Sequence, residues 1–248
     1  MLPHHPEFVK RERDRYNTRS MEIVILAATF WEVRGVISRL GLSKKDSRTY
    51  GRKNSKHHLT LRLSGVGQMR ARQAAEEVLK SLPGLVISTG FAGALKEEIH
   101  SGDLVIDTAR SDPKRAGQMA ELAEKSFMPA HGGAFFSSGE ALLTAREKLK
   151  KAQETGAIAV EMESQAIFEV MRAKRIPYLS VRAVSDTLHQ NLPPIVLQAD
   201  SRRVPSVGFF LELLTHPGQW KSFFELVRSS QKASRSLAKI LKGFISRV

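Results

Sequence analysis

Apolar and polar positions follow two rhythms along this chain. Short continuous apolar runs, bounded by Gly, Pro or polar clusters, recur at residues 23–28, 59–63, 85–89, 104–106, 157–160 and 179–184. Each has the length and makeup of a buried strand. Between them, apolar residues recur every three or four positions. One such set is Val33, Val36, Ile37 and Leu40, closed by Gly41. A second is Ala71, Ala74, Ala75, Val78 and Leu79, after the turn Ser64-Gly65-Val66-Gly67; a third spans residues 166–174, before Ile176-Pro177. That spacing predicts helices. Residues 107–131 are polar with one helix-like stretch at 119–123, and residues 133–138 are a further strand candidate. Strands alternating with helices predict an α/β fold: a single three-layer αβα domain around a central mixed, mostly parallel sheet.

Acidic residues stand where such a sheet collects ligands, at the carboxyl ends of its strands. Glu161 and Glu163 follow the run at 157–160, and residues two apart in extended chain share a face. Paired this way, a carboxylate can accept from both hydroxyls of a ribose diol. Asp186 follows the run at 179–184. A carboxyl group in an apolar rim has its charged form disfavoured, so it can hold a proton and act as a general acid. The same positions suit helix capping, and spacing alone favours capping. Gly65 and Gly67 are weak evidence for phosphate binding, because a tight strand-to-helix turn needs glycine in any case.

Composition narrows the classes. A chain of 248 residues with 42% apolar content can bury a sizeable core, and no stretch is long enough to span a bilayer. The absence of Cys excludes disulfides and thiolate chemistry and fits a reducing cytoplasm. A net charge of +14 raises nucleic acid, an anionic membrane or an acidic ligand as partners. No zinc-finger, RNP-type or basic-zipper pattern supports nucleic acid. Residues 1–20 read as a basic, poorly ordered leader without the apolar core of a secretory signal, residues 21–215 as the α/β domain, and 216–248 as a basic amphipathic helical extension. In the last of these, Phe223, Phe224, Leu226, Val227, Leu237, Ile240, Leu241, Phe244 and Ile245 recur at helical spacing among Lys and Arg. Such a helix either packs on the domain or lies on an anionic membrane.

Val160-Glu161-Met162-Glu163, followed by Val181-Arg182-Ala183-Val184-Ser185-Asp186, resembles the signature of the nucleoside phosphorylase superfamily, in particular its methylthioadenosine/S-adenosylhomocysteine nucleosidases. The likeness runs from about residue 21 to 186. It implies cleavage of the glycosidic bond of a purine nucleoside, with water or inorganic phosphate as co-substrate and no metal or other cofactor. The resemblance implies that Asp186 protonates purine N7, Glu163 holds the ribose hydroxyls, Met162 lines the sugar and Glu32 orients the attacking water. Glu161 and Ser185 belong to the same motifs, and Arg182 would pair with an acid or hold phosphate.

Gly90-Phe91-Ala92-Gly93-Ala94-Leu95 resembles the small-residue loop beneath the ribose and the nucleophile. Phe91 stands where the nucleosidases have serine, which implies a bulkier, more apolar pocket. Leu142 and Leu143 fall where an aromatic ring would cover the base; ordinary helix core explains them equally well. Glu32 favours hydrolysis over phosphorolysis, since Arg34 is the nearest phosphate candidate at the first strand-to-helix junction. Pro193-Pro194 and Pro217-Gly218-Gln219 resemble the hopanoid-associated phosphorylases, which points to adenosylhopane beside methylthioadenosine and S-adenosylhomocysteine as substrates. The family implies a homodimer. Other readings are a phosphate-dependent phosphorylase, a nucleoside-binding protein that has lost catalysis, and a membrane-surface scaffold.

Overall fold

The computed structural model describes residues 21–52, 57–193 and 220–248. The basic leader and the stretch from Pro194 to Gln219, with its Pro-rich elements, lie outside the described residues.

Among the described residues, ten strands form one sheet. The order of its main path is β2 (Ser43–Lys44), β3 (Thr49–Arg52), β4 (His58–Leu63), β1 (Glu22–Ala27), β5 (Leu85–Ala94), β10 (Tyr178–Asp186), β6 (Leu104–Asp107) and β7 (Ala130–Gly133). β9 (Ala159–Glu161) adds to the far end of β5, and β8 (Phe135–Ser137) adds to β9. The centre, β4-β1-β5-β10, is parallel. β6 runs antiparallel to β10, and β9 antiparallel to β5. The sheet is therefore mixed and mostly parallel at its core.

The continuous apolar run of β1 is explained by burial on both faces. Ile23, Ile25 and Ala27 join one cluster with helices α1 (Phe30–Leu40), α3 (Pro113–Lys125) and α6 (Trp220–Ile245). Val24 and Leu26 join the other with α2 (Gln68–Val78) and α5 (Ser164–Ala173). Helix α6 is part of the first layer: Ala233, Leu237, Ala238, Ile240, Leu241, Phe244 and Ile245 all lie in that core. From Ala233 onward its apolar face covers the sheet, and the basic residues between remain outside. Gly35 permits the close approach of α1 to α6; a Cβ there would lie 3.1 Å from Ser234 Oγ and 3.2 Å from its carbonyl.

Four differences from the sequence expectations stand out. The stretch at 119–123 is the inner half of a 13-residue helix that Asp112 caps by accepting from Arg115 N at 3.0 Å. Helix α4 (Ala145–Thr155) has almost no apolar signal, because its buried residue is Lys148. It is specified by its ends, a Thr144–Glu147 capping box and a left-handed Gly156. Residues 90–94 are the continuation of β5, with Gly93 paired to both Asp186 and Val160. Leu142 and Leu143 precede α4 in irregular chain, so helix core does not explain them.

Candidate active site

β9 and β10 flank β5, both pairing with it at Gly93, which brings the two sequence motifs together. Arg182 of β10 is 1% exposed, and its Nη2 donates to Glu161 Oε2 at 2.7 Å and to Ser88 Oγ at 3.2 Å. Glu161 is saturated. Its Oε2 also accepts from the backbone N–H groups of Glu163 (2.9 Å) and Ser164 (2.7 Å), while Oε1 accepts from the hydroxyls of Ser164 (2.8 Å) and Ser137. Burial works to raise the Glu161 pKa, but the Arg182 charge, the Ser137 hydroxyl and these N–H groups outweigh it and hold it below the ordinary value. Burial works the other way on Arg182, whose guanidinium the surrounding carboxylates hold well above its usual pKa. Glu161 thus fixes Arg182 and the start of α5, a supporting position in place of the expected contact with substrate.

Glu163 differs. Oε1 accepts from Gly67 N at 2.9 Å, and Oε2 lies 3.8 Å from Arg182 Nη2. Burial, opposed by Arg182 and reinforced by the charges of Glu161 and Glu32, pushes its pKa up to about 7. Between the two glutamates, Met162 is half-buried.

Glu32 bridges two segments, the start of α1 and the far half of β5. Oε2 accepts from Thr29 N at 2.7 Å, capping α1, while Oε1 accepts from Phe91 N at 3.0 Å. The Phe91 ring packs against the core on the α1/α6 side, so its backbone N–H, and not its bulk, meets Glu32. Gly90 marks where the groups converge. With φ +149°, it holds a conformation that side chains rarely adopt; a Cβ would lie 2.6 Å from Glu32 Oε1 and 2.8 Å from Arg182 Nη1.

Asp186 is 4% exposed but not in the apolar rim expected of it. Ser185 Oγ donates to Oδ1 at 2.7 Å, and Lys148 Nζ to Oδ2 at 2.5 Å. Lys148 is fully buried, with further bonds to the carbonyls of Thr187 and Gln190, both 2.9 Å. A register shift between Val184 and Asp186 makes Ser185 the extra residue and re-aims the carboxylate. Asp186 reaches across β5 at Gly93, where a Cβ would meet Oδ2 at 2.8 Å and Val160 Cγ1 at 3.1 Å. Ala92 is buried beside it, and Leu142 packs with Val160 and Phe136 at this end. Leu143 anchors the chain after Asp186, its carbonyl accepting from Leu192 N at 2.7 Å.

The acids therefore form two groups along one strand. Glu32, Glu161, Glu163 and Arg182 gather at Gly90, and Asp186 with Lys148 and Ser185 stands at Gly93. Gly90 and Gly93 lie three residues, about 10 Å, apart along the strand. Arg34 belongs to neither group: it lies over the Trp31 ring at 5.4 Å and lines a separate α1/α6 cleft of about 510 Å³ with Arg39 and Arg235. Among the described residues, no three His, Asp or Glu side chains are grouped to hold a metal ion.

The sequence reading missed Lys148, Ser137, Ser164 and the Gly67 N–H. Lys148 left one trace, its place on a helix face shared with Ala145, Leu149 and Ala152. The others act through hydrogen bonds that leave none.

Comparison with known proteins agrees with this architecture. A 5'-methylthioadenosine/S-adenosylhomocysteine nucleosidase of Haemophilus influenzae (strain PittEE) is 30% identical over 200 residues, which span 67% of this chain and 86% of the relative. The 5'-methylthioadenosine/S-adenosylhomocysteine nucleosidase of Helicobacter pylori superposes with a TM-score of 0.73 at 15% identity, covering 93% of this chain and all of that one. The futalosine hydrolase of the same organism gives a TM-score of 0.72 at 15% identity, covering 92% of this chain and 98% of its own. The sequence profile of the phosphorylase superfamily matches residues 22–118 and 107–246, and the chain belongs to that superfamily.

Proposed function

We propose that this enzyme hydrolyses the N-glycosidic bond of an adenine nucleoside. The observation that carries the reading is the spacing of the two acid groups on β5: about 10 Å suits a base at Gly93 and a sugar at Gly90. In this reading Asp186 gives a proton to purine N7 as the C1'–N9 electron pair withdraws onto the base. Glu163 accepts hydrogen bonds from the ribose hydroxyls, which strengthen as positive charge grows on the sugar. Glu32 takes a proton from the water that attacks C1', and adenine and the free sugar leave. Preorganised charge at a buried rim supplies most of the stabilisation, with general acid catalysis adding about 10²–10⁴-fold. Glu161 and Arg182 hold the frame, and Leu142 covers the base by apolar contact.

Water is favoured over phosphate because three carboxyl groups, Glu32, Glu161 and Glu163, surround the single guanidinium of Arg182. An anionic nucleophile is repelled there, and Arg34 lies elsewhere. Adenine release from methylthioadenosine, followed with and without phosphate, tests this. Equal rates are expected; release only with phosphate would make the protein a phosphorylase.

The 5' side of the proposed substrate is apolar. Phe30, Trp31, Val66 and Met69, 39%, 43%, 36% and 75% exposed, follow β1 and β4 beside Glu32 and Gly67. This rim suits a methylthio group or a larger hydrocarbon, which keeps adenosylhopane among the substrates proposed. A cytoplasmic homodimer is the assembly we propose. Any contact of α6 with an anionic membrane would be electrostatic over residues 233–245, whose apolar face is in the core.

A further inference from the structure

One charged group near the site has no place in the scheme above. Lys148 is 0% exposed, on a helix with little else buried. Burying an ammonium group is costly unless every donor is used. Here all three are: one on Asp186 Oδ2, one on the carbonyl of Thr187 and one on that of Gln190. The two carbonyls belong to the turn leaving Asp186, so the same ammonium grips the carboxylate and the chain that aims it.

Among the described residues, Lys148 is the one ion-pair partner of Asp186. β5 contributes Gly93, β9 contributes Val160, and Ser185 contributes a hydroxyl. His189 of the following turn lies 3.4 Å from Glu97. Glu161, Glu163 and Arg182 pair among themselves at Gly90.

We propose that Lys148 is the positioning residue for Asp186, orienting its carboxyl group and providing the counter-charge for the carboxylate left when the proton has gone to the purine. The proposal rests on Asp186 being the proton donor. In the step, the Asp186 O–H bond breaks, an N7–H bond forms, and the C1'–N9 pair passes to the base. The new negative charge then faces an ammonium already in contact, with no reorganisation required. Without that cation, the carboxylate left behind would stand beside Gly93 and Val160 with no counter-charge, which disfavours the ionised form and so the proton transfer.

The test is steady-state adenine release from methylthioadenosine across pH, for the parent, Lys148→Met, Lys148→Arg and Asp186→Asn. Lys148→Met should lower kcat at least tenfold with less effect on KM, and move the alkaline limb of kcat upward by about one pH unit. Lys148→Arg should keep the limb near the parent position. The pair Asp186→Asn and Asp186→Asn/Lys148→Met should be equally slow, because Lys148 acts through the carboxyl group that both lack. An unmoved limb in Lys148→Met, with kcat within threefold of the parent, overturns the proposal and leaves the nucleosidase reading intact. Near-parent turnover by Asp186→Asn overturns both. Should Lys148→Met fail to fold, the Arg variant decides: a limb displaced by a unit or more despite the retained cation refutes the counter-charge role.

Discussion

Glu163 carries its tension in a single side chain. It is buried beside two other carboxyl groups, and the one cation near it is already committed to Glu161. Its pKa stands at about 7, against an ordinary value of 4.5. The native state therefore binds this proton more tightly than the unfolded chain does. The associated stability is complete below pH 4.5 and is lost as pH rises through about 7. Glu163→Gln keeps an oxygen for Gly67 N–H but cannot ionise. It should melt higher than the parent at pH 8, by about 1–2 kcal/mol or a few degrees, with the gain fading toward pH 5. Melting curves at the two pH values check this, and a pH-independent difference would refute it. Activity should fall in the same variant if Glu163 takes its proposed role, because an amide offers the sugar hydroxyls only one acceptor oxygen.

At the level of elements, α4 shows how a helix with little hydrophobic support can still be well defined. Thr144 Oγ1 accepts from Glu147 N at 3.2 Å, and Glu147 Oε2 accepts from Thr144 N at 2.8 Å. Gly156 closes the other end at φ 68°. Thr144→Ala should cost about 1 kcal/mol, read by denaturant titration. Because α4 carries Lys148, that variant should also reduce kcat, although residue 144 touches no proposed substrate group. Unchanged kcat would mean that the helix stays in place without its cap. β5 illustrates the converse, an element whose function depends on missing side chains. Its two glycines are where Glu32, Arg182 and Asp186 cross the strand.

For the whole molecule, the decisive feature is that α6 closes the layer over β5 and β10. Phe244 is 2% exposed within that core. Phe244→Ala should cost about 3–5 kcal/mol in chemical denaturation, and a loss below about 1 kcal/mol would show that the helix is dispensable. No helix among the described residues is long and apolar enough to cross a membrane.

Hydrophobic rhythm alone determined the six principal strands, the helices α1, α2, α5 and α6, and the layered α/β architecture, because burial on both sheet faces forces those runs. The spacing of Glu161, Glu163 and Asp186 at strand ends marked the candidate site, since strand termini are where a parallel sheet leaves room for ligands. Only the tertiary structure decided what holds each of these acids. Glu161 is consumed by Arg182 and four other donors, whereas Asp186 is held by a lysine 38 residues away. That distinction depends on partners from distant segments and on single hydrogen bonds. Neither leaves a period in the sequence, so pairing and charge at the site appear only when the strands are laid side by side.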